Sequence, residues 1–90
     1  MEIKSGIVTR TRTEQKKYKI KYMIAVQSGD ITYEYNDVER TRSELITLCN
    51  ILNIKYLHEI EGTLVDLKIE NNKVIGLGSA KKDEWIYNTN

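Results

Sequence analysis

The stretch KKYKIKYMIAVQSGDITYEY, residues 16–35, decides the fold. Tyr18, Ile20, Tyr22, Ile24 and Val26 put an apolar or aromatic side chain at every second position, the period of a strand with one buried face. Ser28 and Gly29 form a candidate two-residue hairpin turn, with glycine supplying the positive φ. Pairing across that turn sets Val26 opposite Ile31, Ile24 opposite Tyr33 and Tyr22 opposite Tyr35. Both arms then turn their apolar residues to one side.

Upstream, IKSGIVTRTRT at residues 3–13 reads as a partner strand. It closes through a loop at residues 13–16, or through Glu14 and Gln15 alone, with the same pairing. That pairing sets Arg12 opposite Lys17, Arg10 opposite Lys19 and Val8 opposite Lys21. It also sets Ile7 opposite Tyr22 and Ile3 opposite Val26 as core pairs. The expectation for residues 1–36 is a three-stranded meander with one apolar and one basic face.

Downstream the period changes to that of a helix. Leu45, Leu48, Cys49 and Leu52 follow the i, i+3, i+4, i+7 spacing of a buried stripe. TRSE at residues 41–44 fits a capping box with Thr41 as N-cap and Glu44 reaching back, and Asn53 is a plausible stop. Asp37 is an alternative cap for a longer helix. IKYLHEIEG, residues 54–62, reads either as a helical turn with Tyr56, Leu57 and Ile60 on one side or as a loop. Residues 63–80 read as a second hairpin around Asn71 and Asn72. A three-residue loop at 71–73 pairs Ile69 with Ile75 and Leu67 with Leu77, and leaves Gly76 and Gly78 outside, opposite Lys68 and Asp66. Trp85, Ile86 and Tyr87 form a candidate short final strand before a polar tail. The order β-β-β-α-β-β describes one α+β domain over residues 1–90, a small antiparallel sheet packed against one α-helix.

Ninety residues, 40% hydrophobic and 30% charged, suit one small domain, and the net charge is only +1. The charge is unevenly placed. Residues 1–22 hold seven Lys/Arg against Glu2 and Glu14, a local +5, and the remainder carries −4. The N-terminal MEIKSGIVTR lacks the apolar run of a signal peptide, and no apolar run approaches a membrane span. One cysteine, Cys49, forms no intramolecular disulfide, so a cytoplasmic location is the expectation. Abundant Ile, Lys, Asn and Tyr, with no Pro or Phe, suit an AT-rich genome such as that of a low-GC bacterium or its phage.

The leading candidate site is the basic ladder Arg10, Arg12, Lys17, Lys19 and Lys21, with Lys16 at the turn. Like charges directly opposite in a sheet are destabilising, so an anionic partner, nucleic acid or an acidic protein surface, would turn that cost into affinity. The competing explanation is a solvated face whose lysines deter edge-to-edge pairing. Glu34, expected opposite Met23, could partly neutralise the cluster. Tyr18, Tyr22, Tyr33 and Tyr35 fall on the apolar parity, in the core or at its rim, which leaves only Trp85 and Tyr87 as candidate exposed aromatics. That argues against sequence-specific single-strand binding and leaves backbone or protein-surface binding intact.

His58 with Glu59, Glu61 and Asp66 lacks the repeated, correctly spaced ligands of a zinc site, and Cys49 sits on the buried helix stripe where a thiol is inert. GLG at 76–78 lies inside a strand pattern, where glycines mark a bulge or a close backbone approach more often than a phosphate loop. No catalytic, metal or cofactor residue is assigned.

A short strand leading to Asp37 and Val38, a helix ending LITLCNILN and then His58 span residues 31–67. Together they resemble an uncharacterised family of short Firmicute proteins. The chain departs from that pattern after the helix, where it lacks a proline and has a hairpin in place of a second helix. The family has no established function, so the resemblance implies no activity. The expectation is a non-enzymatic binding protein that engages an anionic macromolecule through a basic sheet face, such as a phage accessory protein or an inhibitor of a host nucleoprotein complex. The alternative is a protein–protein adaptor or homo-oligomer that uses the 63–80 hairpin or the Trp85–Tyr87 segment as a pairing edge. A small enzyme is third, for want of convergent acid, base or nucleophile.

Overall fold

The long first strand organises the molecule. In the computed structural model, which describes residues 1–87 and the backbone alone for 35–38, β1 (Glu2–Gln15) is followed by β2 (Ile20–Ser28) and β3 (Ile31–Arg40). Then come α1 (Arg42–Leu52), a 3-10 turn (Leu57–Ile60), β4 (Leu64–Glu70), β5 (Lys73–Ser79) and β6 (Glu84–Tyr87). All six strands form one antiparallel sheet in the order β3-β2-β1-β4-β5-β6. The small antiparallel sheet with one helix is as expected. The expected order lacked a full sixth strand, and it did not foresee β1 pairing with β4 along one half and β2 along the other. The placement of Tyr35 on the apolar face and the tail beyond residue 87 lie outside the described residues.

One extra residue in β1 corrects the expected core. The pairing passes from Val8↔Val26 to Arg10↔Ala25, so a bulge falls at Thr9. A one-residue slip exchanges the faces of everything beyond it. Gly6 and Val8 therefore point inward, and Ile3 and Ile7, expected in the core, are 51% and 42% exposed. The inward Gly6 is forced by contact, because a Cβ there would lie 2.6 Å from the Gln27 carbonyl oxygen. Val8 is also tied to the loop ahead of β4: it accepts from the Gly62 amide at 2.7 Å and donates to the Thr63 carbonyl at 3.0 Å.

The turns shift register while keeping faces. The β2–β3 turn is Gly29 and Asp30, giving Val26↔Tyr33 in place of Val26 opposite Ile31. Glycine still supplies the positive φ, at 61°. The shift is two residues from Ile24 to Ser28, and past an irregularity between Tyr22 and Ile24 it is three, so Tyr22 lies opposite Val38 in place of Tyr35. Tyr22, Ile24 and Val26 are all buried. Between β4 and β5 the turn is the two-residue Asn71–Asn72, both at positive φ as a type I′ hairpin requires. That turn sets Ile69 opposite Val74, and a bulge at Ile75 then restores Leu67↔Leu77, with Gly76 and Gly78 outside opposite Lys68 and Asp66. The expected three-residue loop is thus replaced by a tighter turn plus a bulge. Gly78 does mark a close approach, by the backbone of β6, where a Cβ would sit 2.1 Å from the Glu84 oxygen.

The helix matches its sequence signals. The Thr41 hydroxyl accepts from the Glu44 amide at 3.2 Å, and the Glu44 carboxylate accepts from the Thr41 amide at 3.2 Å. Asp37 lies within β3, so the alternative longer helix does not form. Leu45, Leu48, Cys49 and Ile51 are buried, and Leu52 is half-buried. Leu45, Leu48, Ile51 and Leu52 pack on one face of the sheet with Val65, Leu67 and Leu77. Asn53 ends the helix in the left-handed region, φ 58°, and the Ile54 amide closes back on the Cys49 carbonyl at 3.0 Å.

No basic residue lies in the last turn of α1. Lys82, in the turn between β5 and β6, supplies that charge by donating from Nζ to the Ile51 carbonyl at 2.9 Å. Lys82→Met should therefore cost about 1 kcal/mol, through the lost charge-assisted hydrogen bond and helix-end attraction. Circular dichroism melting should show a fall of about 4–8 °C. Lys81→Met, one residue away, should melt close to the wild type; equal losses at the two positions would sink the capping role.

The last residue of β3 joins the two edges of the sheet. Arg40 is 1% exposed, and its Nη1 donates to the Tyr87 carbonyl of β6 at 2.7 Å and to Glu44 Oε2 at 3.2 Å. Strands at opposite ends of the sheet order thus meet through one guanidinium beside the start of α1.

Candidate functional site

Beyond Val8, β1 leaves β4 behind and runs on with β2 alone to a projecting turn at residues 16–19. The Lys16 amide donates to the Lys19 carbonyl at 2.8 Å and closes that turn. The expected loop at 13–16 is therefore displaced toward the C-terminus. Arg12 faces Met23, Thr13 faces Tyr22 and Glu14 faces Lys21.

The new register dismantles the expected ladder of opposed cations. Arg10 lies opposite Ala25, and its guanidinium meets Glu34 at 2.5 Å. Glu34 does neutralise part of the basic face, from a position opposite Ala25 in place of Met23. Lys21 sits in register between Glu14 on one side and Glu39 on the other. The physical reason is the cross-strand preference for opposite charges over like ones. The Glu14–Lys21 match was the signal in the sequence that favoured the longer arm.

What the fold brings together is a smaller basic cluster at the hairpin tip. Every residue from 12 to 19 is exposed, including Arg12, Lys16, Lys17 and Lys19. Lys16 reaches back to Glu14 at 3.1 Å. The hydrogen bond from Lys16 first, then its charge, with Lys21 and Arg12 behind it, holds the Glu14 carboxyl below the usual carboxylate range.

Tyr18 was expected in the core or at its rim, and it is the feature of this site that the alternation concealed. It lies outside β2, in the turn, 84% exposed. Lys17 Nζ is 5.5 Å from its ring centroid. Tyr22 is buried and Tyr33 half-buried against the core, as expected.

The other aromatic pair is already engaged. Trp85 is half-buried and Tyr87 exposed, both on the outer face over Gly78 and Gly76. Lys68 Nζ lies 4.5 Å from the Trp85 ring and 5.1 Å from that of Tyr87, and it donates to the Tyr87 hydroxyl at 2.8 Å. An internal cation occupies the space a ligand would take between the rings.

The acidic residues near His58 are dispersed. Glu59 accepts from the Tyr56 amide, Glu61 from the Thr11 amide, and Asp66 from the Ser5 hydroxyl and the Ala80 amide. His58 stacks on Tyr56 with ring centroids 5.5 Å apart. Among the described residues, no group of three His, Cys, Asp or Glu side chains is placed to hold a metal ion. Cys49 is buried, and burial, with the Glu59 charge behind it, pushes its thiol up and away from the reactive thiolate.

No family model, curated protein or solved structure matches this chain. Among the described residues, no helix is long and apolar enough to cross a membrane.

Proposed function

We propose that this chain is a non-enzymatic binding protein whose β1–β2 hairpin tip engages an anionic macromolecule. The observation that carries the reading is the tip itself: Lys16, Lys17 and Lys19, with Arg12 beside them, project on a closed turn, outside the core. Cations held on a fixed backbone attract polyanions and release their counterions. The dispersed acids around His58 and the inert thiol give no comparable support to catalysis. The 63–80 hairpin offers no edge, since β4 and β5 lie inside the sheet between β1 and β6. Docking through β6 is less favoured because Arg40 already hydrogen-bonds the Tyr87 carbonyl.

Charge reversal at the tip tests the reading. Lys17→Glu with Lys19→Glu should lower affinity for a heparin matrix at least about tenfold and flatten its salt dependence. Circular dichroism should be unchanged, since both side chains are exposed. Lys73→Glu with Lys81→Glu, which alters exposed lysines outside the hairpin, should elute near the wild type. Equal retention of the tip variant and the wild type would overturn the assignment.

A further inference from the structure

We infer that the anionic partner is single-stranded nucleic acid, bound with an unpaired base stacked on Tyr18 and its flanking phosphates on Lys16, Lys17 and Lys19. The inference rests on the hairpin tip being the binding site and names what it binds. Three features of the tip argue for it.

The first is the ring. Tyr18 supplies nothing to the core, and it stands exposed within a turn that a small polar residue could complete. Lys17 Nζ lies over one face of the ring, 5.5 Å from its centroid, and the other face of this 84% exposed ring is open to a base. With ammonium groups beside it for the backbone, the ring offers the two contacts that single strands use. Closure of the turn by the Lys16 amide and the Lys19 carbonyl fixes the backbone that carries the ring and the cations before binding.

The second is the absence of an apolar surround. Protein–protein interfaces centre on a desolvated core and are depleted in lysine. Around Tyr18 the sequence supplies Thr13, Glu14, Gln15 and lysines. The exposed apolar residues of β1, Ile3 and Ile7, lie on the half of the strand paired with β4, away from the tip.

The third concerns strandedness. A duplex lying against a β-ribbon would face its outer surface, and there, among the described residues, only Arg12, opposite Met23, has no acid across from it. Arg10 is neutralised by Glu34, and Lys21 is flanked in register by Glu14 and Glu39. Lys16 is paired with Glu14. The two lysines of the turn with no acid beside them among the described residues, Lys17 and Lys19, flank Tyr18 on a turn too short to follow a groove. A lone ring can stack only where a base is free of its neighbours, as in single strands and loops.

Fluorescence anisotropy with the full chain tests this, using a labelled short oligothymidylate, its duplex with oligoadenylate, and polyglutamate. The oligothymidylate should bind more tightly than the other two, with a log–log salt slope of about −2 from three lysine contacts. Tyr18→Ala should weaken that binding about tenfold with the slope unchanged, and Tyr18→Phe should keep it within about twofold. Lys17→Gln with Lys19→Gln should instead reduce the slope. Duplex or polyglutamate binding as tight as that of the single strand, or Tyr18→Ala binding as the wild type does, would overturn the stacked-base inference and leave a polyanion-binding tip. Absence of binding to all three polyanions, and to heparin, would overturn both.

Discussion

Gly78→Ala is expected to destabilise the domain by about 3 kcal/mol, near the top of the range for overpacking. The added methyl would lie 2.1 Å from the Glu84 carbonyl oxygen and 2.9 Å from the Trp85 Cα. Both are backbone atoms of a paired strand, so no rotamer change relieves the contact. β6 must move off β5, which withdraws Ile86 from the core and takes the Tyr87 carbonyl away from Arg40. At about 4–8 °C per kcal/mol, the melting temperature should fall roughly 12–24 °C. Trp85 is the only tryptophan and sits on the displaced strand, so its fluorescence should shift to the red in the folded variant. Gly76→Ala is the internal comparison. Its Cβ would meet the Tyr87 ring at 3.3 Å, a side chain that can yield, and it should cost only about 1 kcal/mol. Similar losses at both positions would contradict an account based on backbone approach.

Local signals told the faces and the helix. Capping at Thr41 and Glu44 and the stop at Asn53 needed only neighbours in the chain, and they appear where the sequence places them. Alternation in β2 fixed which of its residues are buried even though both of its turns lay elsewhere, because each turn moved the register by an even number of residues. What stayed hidden depends on partners distant in sequence. The bulge at Thr9 reverses the parity of the first half of β1, and that half is held by β4, some sixty residues away. Misplacing the first turn also hid Tyr18, since extrapolating the alternation two residues too far put an exposed ring in the core. The candidate site was therefore legible as a list of cations. Its shape, a tip rather than a face, was not, because the pairing of Arg10 with Glu34 needed the register of three strands at once.

Arg40→Ala should also cost about 3 kcal/mol, and the argument turns on which part of the side chain is responsible. The guanidinium is buried, while its partner Glu44 keeps a side chain 40% exposed. Truncation therefore strands no carboxylate in the core, and the 3–5 kcal/mol penalty of breaking a fully buried pair does not apply in full. What is lost is the donor to the Tyr87 carbonyl and the volume of a long side chain between β3, β6 and α1. Arg40→Met restores most of the volume and none of the hydrogen bonds, so it should recover about half of the loss if packing and hydrogen bonding contribute alike. Acid then separates the ion pair from both. Burial alone would raise the Glu44 carboxyl, but the Thr41 amide, the Arg40 hydrogen bond, the Thr41 hydroxyl and the Arg40 charge together hold it below the ordinary value. A depressed carboxylate stabilises the fold above its unfolded-state pKa, and that contribution is lost as pH falls through the folded-state value. Removing Arg40 takes away two of the causes, so the variant has less to lose on acidification. Urea denaturation should accordingly show the gap between wild type and Arg40→Met narrowing from pH 7 to about pH 3. A gap of constant size would assign the whole effect to packing and to the Tyr87 carbonyl, with nothing from Glu44.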